Sequence, residues 1–263
     1  MIELQDVHVR FNAGTVNENH ALRGVRLRLE AGEFVSVIGS NGAGKSTLLN
    51  TIAGTIPVDH GHVRIGDADV TRLPEHKRCS GCARVFQDPL TGTCGPLTIE
   101  ENLALAVDRG RHRTMRRALT KTRRADFRRA LEPLGMGLES RLVDRMDRLS
   151  GGQRQALSLL MATLAPSEVL LLDEHTAALD PVMAELVVNL TDRIVRDKGL
   201  TALMVTHSMT QALAYGDRLI MMHRGRIALD LDAQERRRFS VEDLIAEFSR
   251  QIGGALDDDK LLL

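Results

Sequence analysis

Glu33-Phe34-Val35-Ser36-Val37-Ile38-Gly39-Ser40-Asn41-Gly42-Ala43-Gly44-Lys45-Ser46-Thr47 fixes the architecture of this chain. Residues 33–38 form a short β-rich run that leads straight into a glycine loop. Beyond it, Leu48, Leu49, Ile52 and Ala53 repeat as the buried face of a helix, and Gly54 closes that helix. Strand, glycine loop and helix in this order form the context a phosphate-binding loop requires. Gly39, Gly42 and Gly44 let backbone N–H groups turn inward around phosphate oxygens, and the helix starting near Lys45 adds its positive end. Lys45 is placed to reach the β and γ phosphates and Ser46 to offer a hydroxyl to Mg²⁺.

Working outward, Val169-Leu170-Leu171-Leu172 is an unbroken apolar run suited to a parallel strand covered on both faces. Asp173-Glu174 follows it directly: Asp173 to hold Mg²⁺ directly or through water, Glu174 as the general base for an attacking water. Asp180-Pro181 reads as an N-cap with proline at the first helical position, and Val182, Leu186, Leu190 and Ile194 predict the apolar face of the helix it opens. A strand over residues 201–205 ends at Thr206-His207. Strands alternating with helices predict an α/β fold with a largely parallel sheet and a ligand at the strands' carboxyl ends.

From about residue 89 to 150 the pattern turns helical and charged, predicting a helical subdomain inserted into the α/β core. Thr98-Ile99-Glu100-Glu101 has the form of a capping box. Residues 109–129 are crowded with Arg and Lys, with Asp126 the one acid among them. A solvated helix face is the expectation for such a run, and contact with anionic lipid headgroups the alternative. From about residue 240 one amphipathic segment (Val241, Leu244, Ile245, Phe248) precedes Gly253-Gly254 and an end at Asp257-Asp258-Asp259 read as loose.

The 263 residues suit one sizeable domain with a subdomain, and 43% apolar with 27% charged residues is ordinary for a globular protein. Lys and Arg balance Asp and Glu at 35 each, so no global pull toward nucleic acid is implied. No apolar run approaches the roughly 18 residues that span a bilayer. Met1-Ile2-Glu3-Leu4-Gln5-Asp6 lacks the basic-then-apolar order of a secretory signal, so a cytoplasmic chain is expected. Cys79, Cys82 and Cys94 lie near His76. A zinc site wants a second ligand pair of matching spacing, so free thiols in a reducing compartment are expected.

Leu149-Ser150-Gly151-Gly152-Gln153, lying between the glycine loop and Asp173-Glu174, narrows the field further. The glycine loop alone is shared by GTPases, kinases and many ATPases. With the pentapeptide, the chain resembles ATP-binding cassette (ABC) ATPases. The motifs Gly39 to Thr47, Gln87 within Val85-Phe86-Gln87-Asp88-Pro89, Leu149 to Gln153, Leu170 to Glu174, Ala178-Leu179-Asp180 and His207 stand in the order of that family's Walker A, Q-loop, signature, Walker B, D-loop and H-loop. The resemblance reaches to about residue 235. It implies a P-loop NTPase, RecA-like α/β core with an N-terminal β-subdomain and an inserted helical subdomain, as an ATPase domain over residues 1–240 followed by a C-terminal segment over 241–263.

The resemblance also implies roles. Gly39, Ser40, Asn41, Gly42, Ala43, Gly44, Lys45, Ser46 and Thr47 bind the nucleotide phosphates, with Ser46, Gln87 and Asp173 around Mg²⁺. Glu174, His207, Gln87 and Lys45 serve catalysis. Phe11 falls where such ATPases carry an aromatic ring against adenine, although it also reads as a strand-core residue. Ser150, Gly151, Gly152 and Gln153 would face ATP held by a second copy of the chain, and Asp180 would lie across that dimer interface. Closure would pass to a separate membrane subunit through the surface near residues 87–98.

More narrowly, Gly14-Thr15-Val16-Asn17, Val85-Phe86-Gln87-Asp88-Pro89, Thr98 to Ala104, Asp173 to Asp180 with its His175-Thr176-Ala177, and Met204-Val205-Thr206-His207 resemble ATPases of bacterial uptake systems assigned to tryptophan and tyrosine. Most ABC ATPases carry proline where His175 stands. Such relatives imply an integral-membrane permease, an external substrate-binding protein, no nucleic acid, and a peripheral position on the cytoplasmic face of the membrane. The rival readings are an exporter or lipid-extraction ATPase, and a soluble ABC ATPase acting on DNA or the ribosome. Long coiled-coil inserts or a second cassette would mark the last, and the chain has neither.

Overall fold

In the computed structural model, residues 1–110 and 117–252 are described. Strands β1 (Ile2–Phe11) and β2 (Asn19–Leu29) pair antiparallel and bury Ile2, Leu4, Val7 and Val9 against Leu22, Val25, Leu27 and Leu29. This inward-outward alternation is what a half-covered antiparallel sheet requires. Later in the chain, β4 (His60–Ile65) and the short β5 (Ala68–Asp69) complete the sheet in the order β2-β1-β4-β5.

Strand β3 (Phe34–Gly39) begins the main sheet and runs through the glycine loop into α1 (Lys45–Ala53), which Gly54 caps in the left-handed conformation. The short α2 (Glu75–Arg78) precedes β6 (Cys82–Val85). Next come α3 (Ile99–Val107), α4 (Lys121–Leu131) and α5 (Gly151–Leu164), then β7 (Val169–Asp173), α6 (Pro181–Lys198) and β8 (Thr201–Val205). The chain ends through α7 (Met209–Ala214), β9 (Arg218–His223), β10 (Arg226–Leu231), α8 (Ala233–Arg236) and α9 (Val241–Ile252).

The main sheet has the order β10-β9-β3-β8-β7-β6, parallel throughout except for the antiparallel edge strand β10. Both faces are covered. Val35, Val37, Val169, Leu171, Leu203 and Val205 pack with α1 and the N-terminal sheet, while Ala83, Val85, Leu170, Leu172, Ala202 and Met204 pack with α3 to α6. Adjacent residues of β7 and β8 thus serve opposite cores, which explains why these strands read as continuous apolar runs.

Between β6 and β7 the chain is helical. Thr98 and Glu101 form the expected capping box at the start of α3. The basic stretch is more anchored than a solvated face predicts. Arg109 donates to Ala162 O and Ser167 Oγ, Arg123 grips Asp108, and Arg124 grips the buried Glu100 of α3, while Lys121, Arg128 and Arg129 stay exposed. Residues 111–116 of that stretch lie outside the described residues.

The apolar face predicted for α6 is displaced. Val187, Val188, Leu190, Thr191 and Val195 are buried, Ile194 packs at the margin, and Val182 and Leu186 are exposed. The i, i+4 series drifts around a helix of 3.6 residues per turn, so a stripe chosen by hydrophobicity alone started on the wrong side. At the C-terminus, Leu244 and Phe248 of α9 are buried against residues of β9, β10 and α7. Gly253-Gly254 and Asp257 to Asp259 lie outside the described residues. Among the described residues no helix is long and apolar enough to cross a membrane.

Candidate active site

The glycine loop owes its shape to close backbone approaches. A side chain on Gly39 (φ 148°) would place Cβ 2.2 Å from Met222 O on the neighbouring strand β9. On Gly44 (φ 102°) it would lie 2.6 Å from Ala21 O. Gly44 is also the N-cap of α1 and brings no side-chain acceptor to the start of the helix, where the backbone dipoles favour an anion. Lys45 is buried, and its Nζ donates to Gly39 O at 2.5 Å and Ser40 O at 3.1 Å. The loop's own carbonyls therefore hold the ammonium inside the curl. A cavity over the loop is lined by Phe11, Asn19, Ala21, residues 41–47 and Glu174. Phe11 is 37% exposed at the end of β1, which leaves its ring available to a flat ligand.

Three adjacent strand ends carry the remaining polar groups. Asp173 of β7 pairs in register with Val205 of β8, and Val205 pairs with Val37 of β3, two residues before Gly39. Glu174 has φ 43°, a left-handed backbone unusual for a long side chain, and its N–H donates to Val205 O at 2.9 Å. This bend turns Glu174 toward the cavity over the loop. His207 Nδ1 lies 3.5 Å from Glu174 Oε2. Asp173 is held from the other side: Arg84 of β6 donates from Nη2 to Asp173 Oδ2 at 2.6 Å and from Nη1 to Asn50 Oδ1 at 2.6 Å.

Other predicted residues lie apart from this cavity. Gln87 is exposed just beyond β6, and Gln155 Nε2 donates to the carbonyl of its neighbour Phe86. Ser150 is the N-cap of α5 and forms a capping box with Gln153, so the Ser-Gly-Gly-Gln string is also a helix start. Gly151 and Gly152 pack toward Leu179 and Met183, at the entry to α6. Asp180 caps α6, accepting from Met183 N–H at 3.1 Å. None of residues 150–153 lines the cavity over the glycine loop.

The pattern described as ABC transporter matches residues 22–177, more than half of the chain. The chain belongs to the ABC transporter family. It is 44% identical over 248 residues to a tyrosine transport ATP-binding protein of Clostridioides difficile, covering 94% of this chain and 98% of that one. It is 38% identical to a thiamine import ATP-binding protein of a Chelativorans species over 78% of each chain. Among solved structures it resembles a dimeric ATP-binding cassette in a post-hydrolysis state bound to ADP and Pi. There the TM-score is 0.76 at 27% identity, with 89% of this chain and 99% of that one covered. This ABC protein is an ATPase: it binds ATP and couples its hydrolysis to transport.

Two features of the ATPase were not legible in its sequence. Arg84, three residues before Gln87, gives no signal beyond a basic residue in an apolar strand, yet it bridges α1 and β7. His175, following Glu174, is buried, and its Nε2 lies 2.9 Å from Thr191 Oγ1 of α6. Burial pulls its pKa down to about 4, so the ring is neutral at ordinary pH. The cysteines are free thiols that line one cleft with His76. Cys82 belongs to the core, and burial pushes its thiol up to about 12, which suppresses the thiolate a metal or a disulfide partner would need.

Proposed function

We propose that this ATPase powers uptake of an aromatic amino acid through a separate integral-membrane permease supplied by an external substrate-binding protein. The carrying observation is full-length likeness: 44% identity over 94% of the chain to a protein whose name specifies tyrosine transport. In this reading residues 1–240 form the ATPase domain with its insertion over 89–150, residues 241–263 form a C-terminal appendage, and the chain sits peripherally on the cytoplasmic membrane face. The cleft containing Phe86, Thr91, Thr93 and Cys94 beside Asn102 and Leu105 of α3 receives the permease.

The glycine loop and Lys45 hold the phosphates, and Phe11 lies against adenine. Ser46, Asp173 and Gln87 offer hard oxygen donors suited to Mg²⁺, which supplies neutralisation of phosphate charge. Glu174 takes the proton of the attacking water as its oxygen bonds to the γ-phosphorus and the bond to the ADP oxygen breaks. His207, beside Glu174, contacts the γ-phosphate. The residues at 150–153 lie outside their own chain's cavity, which supports a head-to-tail pair in which Ser150 and Gly152 of one copy complete the site of the other, with Asp180 at the seam.

The test is reconstitution of the ATPase in vesicles with a permease and substrate-binding protein of the same organism. Tyrosine or tryptophan should stimulate ATP hydrolysis and enter the vesicles. Stimulation by an unrelated solute alone would reject the substrate, and a permease partner that exports would reject the direction.

A further inference from the structure

Away from the nucleotide, the N-terminal sheet carries a second cluster of donors. Strand β1 alternates inward Ile2 and Leu4 with outward Glu3 and Gln5, and strict alternation would send Asp6 into the core. Instead Asp6 adopts φ 52°, and the pairing of β1 with both β2 and β4 shifts register between residues 4 and 8. A bulge of this kind re-aims a side chain, and aspartate tolerates the left-handed conformation better than most residues. Val7 still points inward, so Asp6 and His8 emerge on the same outer face. There they meet His60, paired with His8 across β1 and β4.

We propose that Asp6, His8 and His60 form a binding site for a divalent transition-metal ion of the zinc class. One donor atom from each lies within 4.8 Å of the others. His8 Nε2 is 3.8 Å from Asp6 Oδ1, and His60 Nδ1 is 3.6 Å from Asp6 Oδ2. These spacings are long for hydrogen bonds but near the roughly 3.4 Å between ligands on a tetrahedral ion with bonds of about 2.1 Å. Two imidazoles and a carboxylate suit zinc and its neighbours rather than Mg²⁺ or Ca²⁺.

Two further observations point the same way. The other nitrogen of His8, Nδ1, lies 3.2 Å from His20 Nε2. When His8 donates its Nδ1 proton to His20, its Nε2 carries the lone pair a metal ion needs, and metal-bound histidines are commonly oriented through their second nitrogen in this way. Opposite, on β2, Gly24 leaves open the space in front of the donors: a Cβ there would lie 3.2 Å from both Asp6 Oδ1 and His8 Nε2. Arg26 Nη2 lies 3.6 Å from Asp6 Oδ1, but its side chain is 79% exposed and can swing into solvent as a cation enters. The site would clip β1 to β4 three residues before Phe11.

The experiment uses the untagged full-length chain, without nucleotide, in a Cys79→Ser/Cys94→Ser background that removes the competing half-buried and exposed thiols. Co²⁺ is titrated by its visible absorption and displaced with Zn²⁺. One equivalent should bind, with affinity lowered about tenfold or more by His60→Gln or Asp6→Asn, and about 10–100-fold by His20→Gln. His60 is exposed and asparagine tolerates the backbone of position 6, so both first variants should keep the parent's thermal unfolding in EDTA. Absence of stoichiometric binding, or binding unchanged in His60→Gln and Asp6→Asn, would overturn the site.

Discussion

Arg84 Nη2 donates to Asp173 Oδ2 at 2.6 Å, so the carboxylate that closes β7 is neutralised from the neighbouring strand. Both side chains are largely buried, Arg84 also donates to Asn50 Oδ1 on α1, and its guanidinium lies over the Phe86 ring at 4.7 Å. One side chain thereby ties together the helix behind the glycine loop, the carboxylate proposed to face Mg²⁺ and the approach to Gln87. In the proposed role, Asp173 shares its charge between this guanidinium and the cation brought by the nucleotide.

Replacing Arg84 by methionine leaves Asp173 without its buried partner. Breaking such a pair costs about 3 kcal/mol, and less when another cation takes the place. Arg84→Met should therefore lower the unfolding temperature strongly in EDTA and much less with Mg²⁺ and a non-hydrolysable ATP analogue. Equal losses under both conditions would count against the metal-facing role proposed for Asp173.

Glu174→Gln preserves the shape of the side chain and removes its basicity. Nucleotide binding should persist, turnover should fall by about 10²–10⁴-fold, and an ATP-bound dimer should accumulate in size-exclusion chromatography. Hydrolysis at the parent rate would place the base elsewhere.

Ser150 has a structural task in its own chain and a proposed catalytic one in its partner's, and substitution can part them. Ser150→Ala loses the cap of α5, costing about 1 kcal/mol. Ser150→Asp keeps a capping oxygen but sets a negative charge against phosphate. The aspartate variant should unfold like the parent in urea yet lose ATP-driven dimerisation.

His175 imposes a pH dependence on stability. Its pKa falls from 6.5 to about 4 on burial, so between those values the unfolded chain binds more protons than the folded one. The stability associated with the neutral ring is complete above pH 6.5, declines as pH falls through the window by up to about 1.4 kcal/mol per unit, and is lost below about pH 4. His175→Gln should flatten the curve of unfolding free energy against pH in that interval and leave it parallel to the parent above it.

Much of the fold was legible because it rests on local rules. The glycine loop, the caps at Thr98 and Asp180, and the strands over 34–39, 169–173 and 201–205 each carry their instruction within a few residues. The face of α6 was half legible: Leu190 and Ile194 pack on the core as expected, while the rest of the buried side depends on where its neighbours lie. Val182 and Leu186 are as apolar as Val187 and Val188 but face outward.

By itself, the sequence determined the order of motifs, the α/β class and the convergence of three strand ends, because parallel strands carry their loops to one edge of the sheet. Only the tertiary structure decided which charges meet. Arg84 reaches Asp173 across 89 residues of chain, Glu174 is bent into an unusual backbone conformation beside His207, and a bulge turns Asp6 toward His8 and His60. Such pairings depend on strand register and on single backbone angles, where a shift of one residue reverses a side chain's face, and no periodicity in the sequence records them.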